Sequence, residues 1–209
     1  MAVVNNPIIG RASGKVGGAV FSQWKGRNIL KEKPTVVANP RTDQQQANRA
    51  RFVTLLALGR VLGPAVRIGF KEYSGQMSWL NRFMSTNSSN DSLVWNTSTW
   101  VLAPANLVIS EGSLYPTPLI FNEIDGNNVV IDFDPVPRHN QTATDTLYLV
   151  GMKGTETVYS TSVLRSAGTV TVPFTSLVNG DEVAIYGFFL RSDGSIVSNS
   201  YSVVQTVGP

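Results

Sequence analysis

Cysteine is missing altogether, and histidine occurs once, at His139. Without cysteine there is no disulfide framework and no thiolate chemistry, and the usual zinc sites are excluded. Charge is scarce as well: 15% of the residues are Asp, Glu, Lys or Arg, against roughly 25% in an average soluble domain. Ser, Thr, Asn and Gly take their place. That composition suits β-rich surfaces that meet other protein, and equally a secreted β-protein that prefers neutral polar groups. Long apolar runs are also missing. Residues 52–70 form the most apolar helical stretch, but Arg60, Arg67 and several glycines interrupt it, so no membrane span is expected. Met1 to Asn6 lack the basic start and apolar run of a secretory signal, so signal-driven export is not expected unless a signal has already been removed.

What is there is 209 residues, 42% of them hydrophobic. That is enough for one domain with a substantial extension, or for two small domains. The net charge of +3 conceals a split. From Met1 to Lys71 twelve Lys and Arg face only Glu32 and Asp43, a balance of +10; from Glu72 to Pro209 five basic residues face twelve acidic ones, a balance of −7. A basic end joined to an acidic end favours head-to-tail attraction between copies, or an arm that meets polyanion.

The fold class read from the pattern is α+β, mostly β, in three parts. Residues 1–41 are a basic, glycine-punctuated extended arm in which 19–24 and 28–32 form a β-hairpin around Lys25-Gly26. A two-stranded ribbon is marginal alone in water and needs something to pack on. Residues 42–91 are a short helical segment. Thr42 with Gln45 makes a capping box and Asp43 suits the first turn. The helix is predicted to run to Leu62, with Phe52, Leu55, Leu56, Gly59 and Leu62 on one stripe, until Gly63-Pro64 ends it. A further helical stretch spans 76–84, and the polar run 85–92 is the junction. Residues 92–209 are an immunoglobulin- or fibronectin-like β-sandwich with its core at about 107–205. Its predicted strands are 92–101, 107–111, 128–133, 145–152, 157–164, 169–174, 182–191 and 195–205, divided by turns such as Asp125-Gly126-Asn127 and Asn179-Gly180.

Candidate chemistry is thin. A lone His139 among polar turn residues reads as solvated, and no nucleophile-elbow pattern accompanies it. Gly10 to Val16 evokes a phosphate loop, but its glycines are one residue too close and Val16 stands where a Ser or Thr would hold magnesium. Asp132 and Asp134 alternate on one strand near Asp125, without calcium-loop spacing; a solvated face is expected. No enzyme, no metal and no cofactor are therefore expected. The candidate site residues are interface residues. Phe21, Trp24, Ile29 and Leu30 are arm anchors, and Lys15, Lys25, Arg27, Arg41, Arg49 and Arg51 are contacts for an acidic partner or nucleic acid.

Three stretches carry a resemblance. They are Gly14-Lys15-Val16-Gly17-Gly18 followed by Trp24-Lys25-Gly26; Asn39-Pro40-Arg41-Thr42 with Gln44, Gln45, Arg49 and Phe52; and Tyr186-Gly187-Phe188-Phe189 with Asp193-Gly194 and Ser198-Asn199-Ser200-Tyr201. Together they resemble an uncharacterised domain-of-unknown-function family of Bacteroidota and their phages. The first two are also similar to the arms of small hypothetical proteins of phages and prophages. The resemblance covers nearly the whole chain and is weakest over residues 85–125. It implies a phage setting and transfers no catalytic residue.

The leading expectation is a self-assembling phage virion component, capsid or capsid-associated, formed in the host cytoplasm, with further copies, other virion proteins and nucleic acid as partners. One alternative is a bacterial surface or extracellular protein binding protein or glycan through the sandwich. Another is an accessory protein binding nucleic acid through the arm.

Overall fold

The computed structural model describes residues 2–4, 12–24, 26–36, 41–73, 75, 77–154 and 156–208. The chain divides into two compact units, Met1–Thr42 and Asp43–Pro209.

The first unit is a four-stranded antiparallel sheet of β1 (Ala2–Val4), β2 (Gly14–Val16), β3 (Ala19–Trp24) and β4 (Arg27–Glu32), in the order β1-β4-β3-β2. The predicted hairpin is its centre: Trp24 pairs with Arg27 across a two-residue turn whose Gly26 has φ 77. The sequence pattern missed the two outer strands, which at three residues each are too short to show an alternation.

The second unit is helical on one side and β-rich on the other. Helix α1 (Asp43–Val61) begins where predicted and stops one residue early, and α2 (Gly63–Gly69) opens with Pro64 in its first turn. Of the predicted stripe, Leu55, Gly59 and Leu62 are buried, but Phe52 is 58% exposed. Helix α3 (Trp79–Ser89) starts and ends later than the predicted 76–84. Ser78 caps it by accepting the Asn81 N–H at 3.2 Å. Its last turn absorbs most of the polar run that read as a junction. Asn87 there is fully buried, its amide donating to the Phe83 and Val108 carbonyls and its Oδ1 accepting the Val108 N–H. Every polar group so buried needs a partner, and residue 108 supplies two of them. Among the described residues no single helix is long and apolar enough to cross a membrane.

The predicted strand 92–101 is instead a hairpin of β5 (Leu93–Asn96) and β6 (Thr99–Leu102), turning at Thr97 with φ 47. Residues 107–111 form no strand; their N–H groups go to Asn87, to Ser200 Oγ and, from Glu111, to the Gly69 carbonyl. Seven strands follow: β7 (Leu119–Asp125), β8 (Asn128–Phe133), β9 (Thr146–Lys153), β10 (Glu156–Leu164), β11 (Thr169–Pro173), β12 (Glu182–Leu190) and β13 (Tyr201–Thr206). β7 was not predicted, and β13 is the shortened form of 195–205.

These seven strands make two antiparallel sheets, β10-β9-β12-β13 and β11-β8-β7. One core lies between them, with Val129, Ile131 and Phe133 from β8 against Leu147 and Leu149 from β9 and Val183, Ile185 and Phe189 from β12. A second core lies between the other face of the four-stranded sheet and the helices. There Val150, Met152, Ala184, Tyr186 and Phe188 meet Leu62, Val66, Phe70 and Phe83. Strands β9 and β12 are thus covered on both faces, which is why β12 reads as an unbroken apolar run. Gly187 permits the packing: a Cβ there would lie 2.6 Å from Leu149 Cδ2 and 2.7 Å from Leu119 Cδ1. The helical segment 42–91 and the strands of 92–209, separate parts on the sequence pattern, lie in one compact unit. The fourth of the seven strands, β10, pairs with the third rather than joining the sheet of the fifth, unlike the constant-type immunoglobulin arrangement.

Candidate interaction surface

The arm sheet is built by a strand alternation that two glycine turns fold back on itself, so paired residues share a face. Register sets Gly14, Phe21 and Leu30 across one mostly apolar face, with Val16, Ala19 and Glu32 on one side of them and Gln23 with Asn28 on the other. It sets Lys15, Val20 and Lys31 across the other, followed by Ser22 with Ile29, and then Arg27. The predicted anchors therefore do not form one patch. Phe21 and Leu30 lie on the apolar face, while Ile29 lies among the basic residues. All three are half-buried, and none of residues 12–23, 26–36, 41 and 42 is buried. Lys15, Arg27 and Lys31 are exposed, and none of them forms an ion pair among the described residues. Lys31, omitted from the candidate contacts, is brought to the centre of the basic face by its place opposite Val20. Lys25 and the side chain of Trp24 lie outside the described residues.

The remaining basic candidates lie apart from that face in sequence and in role. Arg41 is exposed just ahead of α1, and Arg49 is exposed on it. Arg51 is engaged within the second unit. It donates to the Ser88 carbonyl at 2.8 Å, lies 3.9 Å from Asp91 Oδ1 and stacks over the Trp100 ring at 5.0 Å. Trp100 in turn donates its indole N–H to the Ala47 carbonyl at 2.7 Å and meets Trp95 edge-on. Arg51 and Trp100 together fasten α1 to the β5–β6 hairpin.

Asp132 and Asp134 do not form a carboxylate pair. Asp132 accepts from the Asn122 amide at 2.8 Å. Asp134, just past the end of β8, accepts the Val136 N–H and pairs with Arg138 at 2.8 Å. The Val136 N–H, with help from Arg138, holds the Asp134 carboxyl below the usual range. These two residues edge a pocket of about 340 Å³ whose walls include Tyr115, Pro116, Ile120 and Tyr201. His139 leans on Tyr115 with ring centroids 4.3 Å apart. Sequence reasoning missed this pocket because its walls come from three separate stretches of chain.

No curated protein matches the chain. One family's profile does match, over residues 11–204, taking in the two long arm strands, all three helices and both facing sheets. The chain belongs to DUF6266, a family of unknown function.

Proposed function

We propose that the protein is a self-assembling structural protein, a capsid or capsid-associated component of a phage particle, whose N-terminal sheet contacts neighbouring subunits. The observation that carries this reading is the arm, a short-stranded sheet in which none of residues 12–23 and 26–36 is buried, with one mostly apolar face and one basic face. Such a sheet buries too little to offset the entropy of ordering it, and covering a face on another subunit supplies the missing stabilisation. The second unit supports the reading as a body with two cores around a shared sheet. Its strand order favours the fibronectin-like form over the constant-type immunoglobulin one. Sandwiches of this kind are common in viral and cell-surface proteins. The resemblance of the arm and of the Asn39-Pro40-Arg41-Thr42 helix start to small hypothetical proteins of phages and prophages supports the virion setting. Neither catalysis nor a cofactor has a part in it.

Mass photometry and light scattering test the reading. The full chain is expected to form large regular assemblies, and a chain lacking residues 1–41 is expected to stay monomeric. A full chain that remains monomeric at high concentration refutes it.

A second reading, a surface or extracellular protein that binds glycan, is favoured by the Tyr115–Tyr201 pocket, where aromatic faces and the Asp134–Arg138 pair suit a sugar's apolar and hydroxyl sides. Saturable glycan binding by the monomer, lost in Tyr201→Ala, would establish it. The basic arm face favours the third reading, nucleic-acid binding, which demands an affinity falling steeply with salt.

A further inference from the structure

The three-stranded sheet β11-β8-β7 turns Val129, Ile131, Val170 and Val172 into the core, and its other face has no element packed on it among the described residues. Register lays Ile120, Asp132 and Thr169 in one row across that outer face, Glu123, Val130 and Thr171 in the next, and Asp125, Asn128 and Pro173 in the third. Glu123 and Asp125 are exposed, Asp132 is half-buried and Ile120 is 60% exposed. None of these rows holds a Lys or Arg. The face is acidic, otherwise neutral, and carries aliphatic side chains between its carboxylates.

The basic face of the arm is its complement. It sets Lys15, Lys31 and Arg27 around Val20 and Ile29. The spacings agree as well. Lys31 and Arg27 are four residues apart on one strand, about 14 Å, and Asp132 and Asp125 are separated by about 14 Å along and across two neighbouring strands. Two sheets stacked about 10 Å apart would bring Lys and Arg ends to the carboxylates while the aliphatic residues meet between them.

We propose that this acidic outer face seats the basic arm face of a second copy of the chain. The proposal rests on the assembly reading above and names the surface that assembly uses. Because the two patches differ, the contact is heterologous. Each copy keeps a free arm at one end and a free face at the other, so the contact propagates into rings or open arrays instead of stopping at a dimer.

Charge reversal tests it in the full chain. The double variants K15E/K31E and E123K/D125K are each expected to weaken self-association roughly tenfold while keeping the wild-type circular dichroism. Mixed one to one, they are expected to regain assembly, since the acidic arm of one fits the basic face of the other. Two folded variants that stay dissociated when mixed, while the wild type assembles, overturn this surface and leave arm-driven assembly standing. Unchanged assembly of K15E/K31E together with lost retention on single-stranded DNA overturns it in favour of nucleic acid as the arm's partner. A wild type that never assembles removes both readings.

Discussion

Arg165 is fully buried, and so is Asp145, whose Oδ2 lies 3.7 Å from its Nε. The guanidinium lies 3.8 Å over the Phe189 ring and donates to Thr117 Oγ1 at 2.7 Å. Burial pushes its pKa down, and the Asp145 carboxylate opposes that push. Nε and Nη2 find no hydrogen-bond partner among the described residues, so the desolvation cost is only partly offset. Removing one partner of such a pair strands the other charge. Arg165→Leu is expected to cost about 3–5 kcal/mol in urea denaturation, and the double variant R165L/D145N is expected to recover a large part. Equal losses in the single and double variants would place the cost in packing over Phe189 instead. None of this is legible locally, because Arg165-Ser166-Ala167-Gly168 reads as a turn with a solvated charge. Its burial is decided by Thr117 and Asp145, 48 and 20 positions away. Arg51 misled in the same way: its basic character was plain, and its engagement with Ser88, Asp91 and Trp100 was not.

Among elements, the join between α3 and the extended segment 107–111 shows how polar groups replace a sheet contact. Glu111 accepts from Arg82 at 2.6 and 3.0 Å and from Thr86 and Tyr73 at 3.2 Å, with the Arg82 guanidinium 4.2 Å over the Tyr73 ring. Burial pushes the Glu111 carboxyl up, but the Arg82, Thr86 and Tyr73 bonds outweigh it and hold the pKa below 4.5. A carboxyl depressed on folding adds stability that is complete at neutral pH and is lost as pH falls through its folded value. Glu111→Gln is therefore expected to cost about 1–2 kcal/mol at pH 7, with the gap to wild type closing in urea titrations once the pH falls below the usual carboxylate range. A gap that persists in acid would contradict this.

Elements with a clear apolar pattern were legible in the sequence, β8 by its alternation and β12 by its unbroken run. Those broken by a local event were not. β7 shifts register between Phe121 and Glu123, which hides its period. The β5–β6 hairpin turns at Thr97-Ser98, without the Gly or Asn that usually marks such a turn. The end of α3 is written in Ser, Thr and Asn, and only the bonds of Asn87 to residue 108 reveal it as helix.

At the scale of the whole molecule, the change of period near residue 92 suggested a boundary. Val150, Met152, Tyr186 and Phe188 show instead that β9 and β12 serve the helices as well as the facing sheet. Two cores that share their central strands cannot be lost one at a time without exposing the other. Residues 43–209 are therefore expected to unfold in a single transition, with helical far-ultraviolet dichroism and the near-ultraviolet signal of buried Tyr186 following one curve. Separate midpoints would show that the helices come away first.

The hairpin tie through Trp100 has a spectroscopic consequence. Trp79, Trp95 and Trp100 all lie on α3 or the β5–β6 hairpin, and the chain's remaining tryptophan, Trp24, is in the arm. Trp79, Trp95 and Trp100 stand outside the core between the facing sheets. Their emission on selective excitation near 295 nm thus reports how α1 rests on the hairpin, through the indole bond to Ala47. A ligand settling between Tyr115 and Tyr201 would leave that emission almost dark to its arrival, and a loosening of α1 from the hairpin would not.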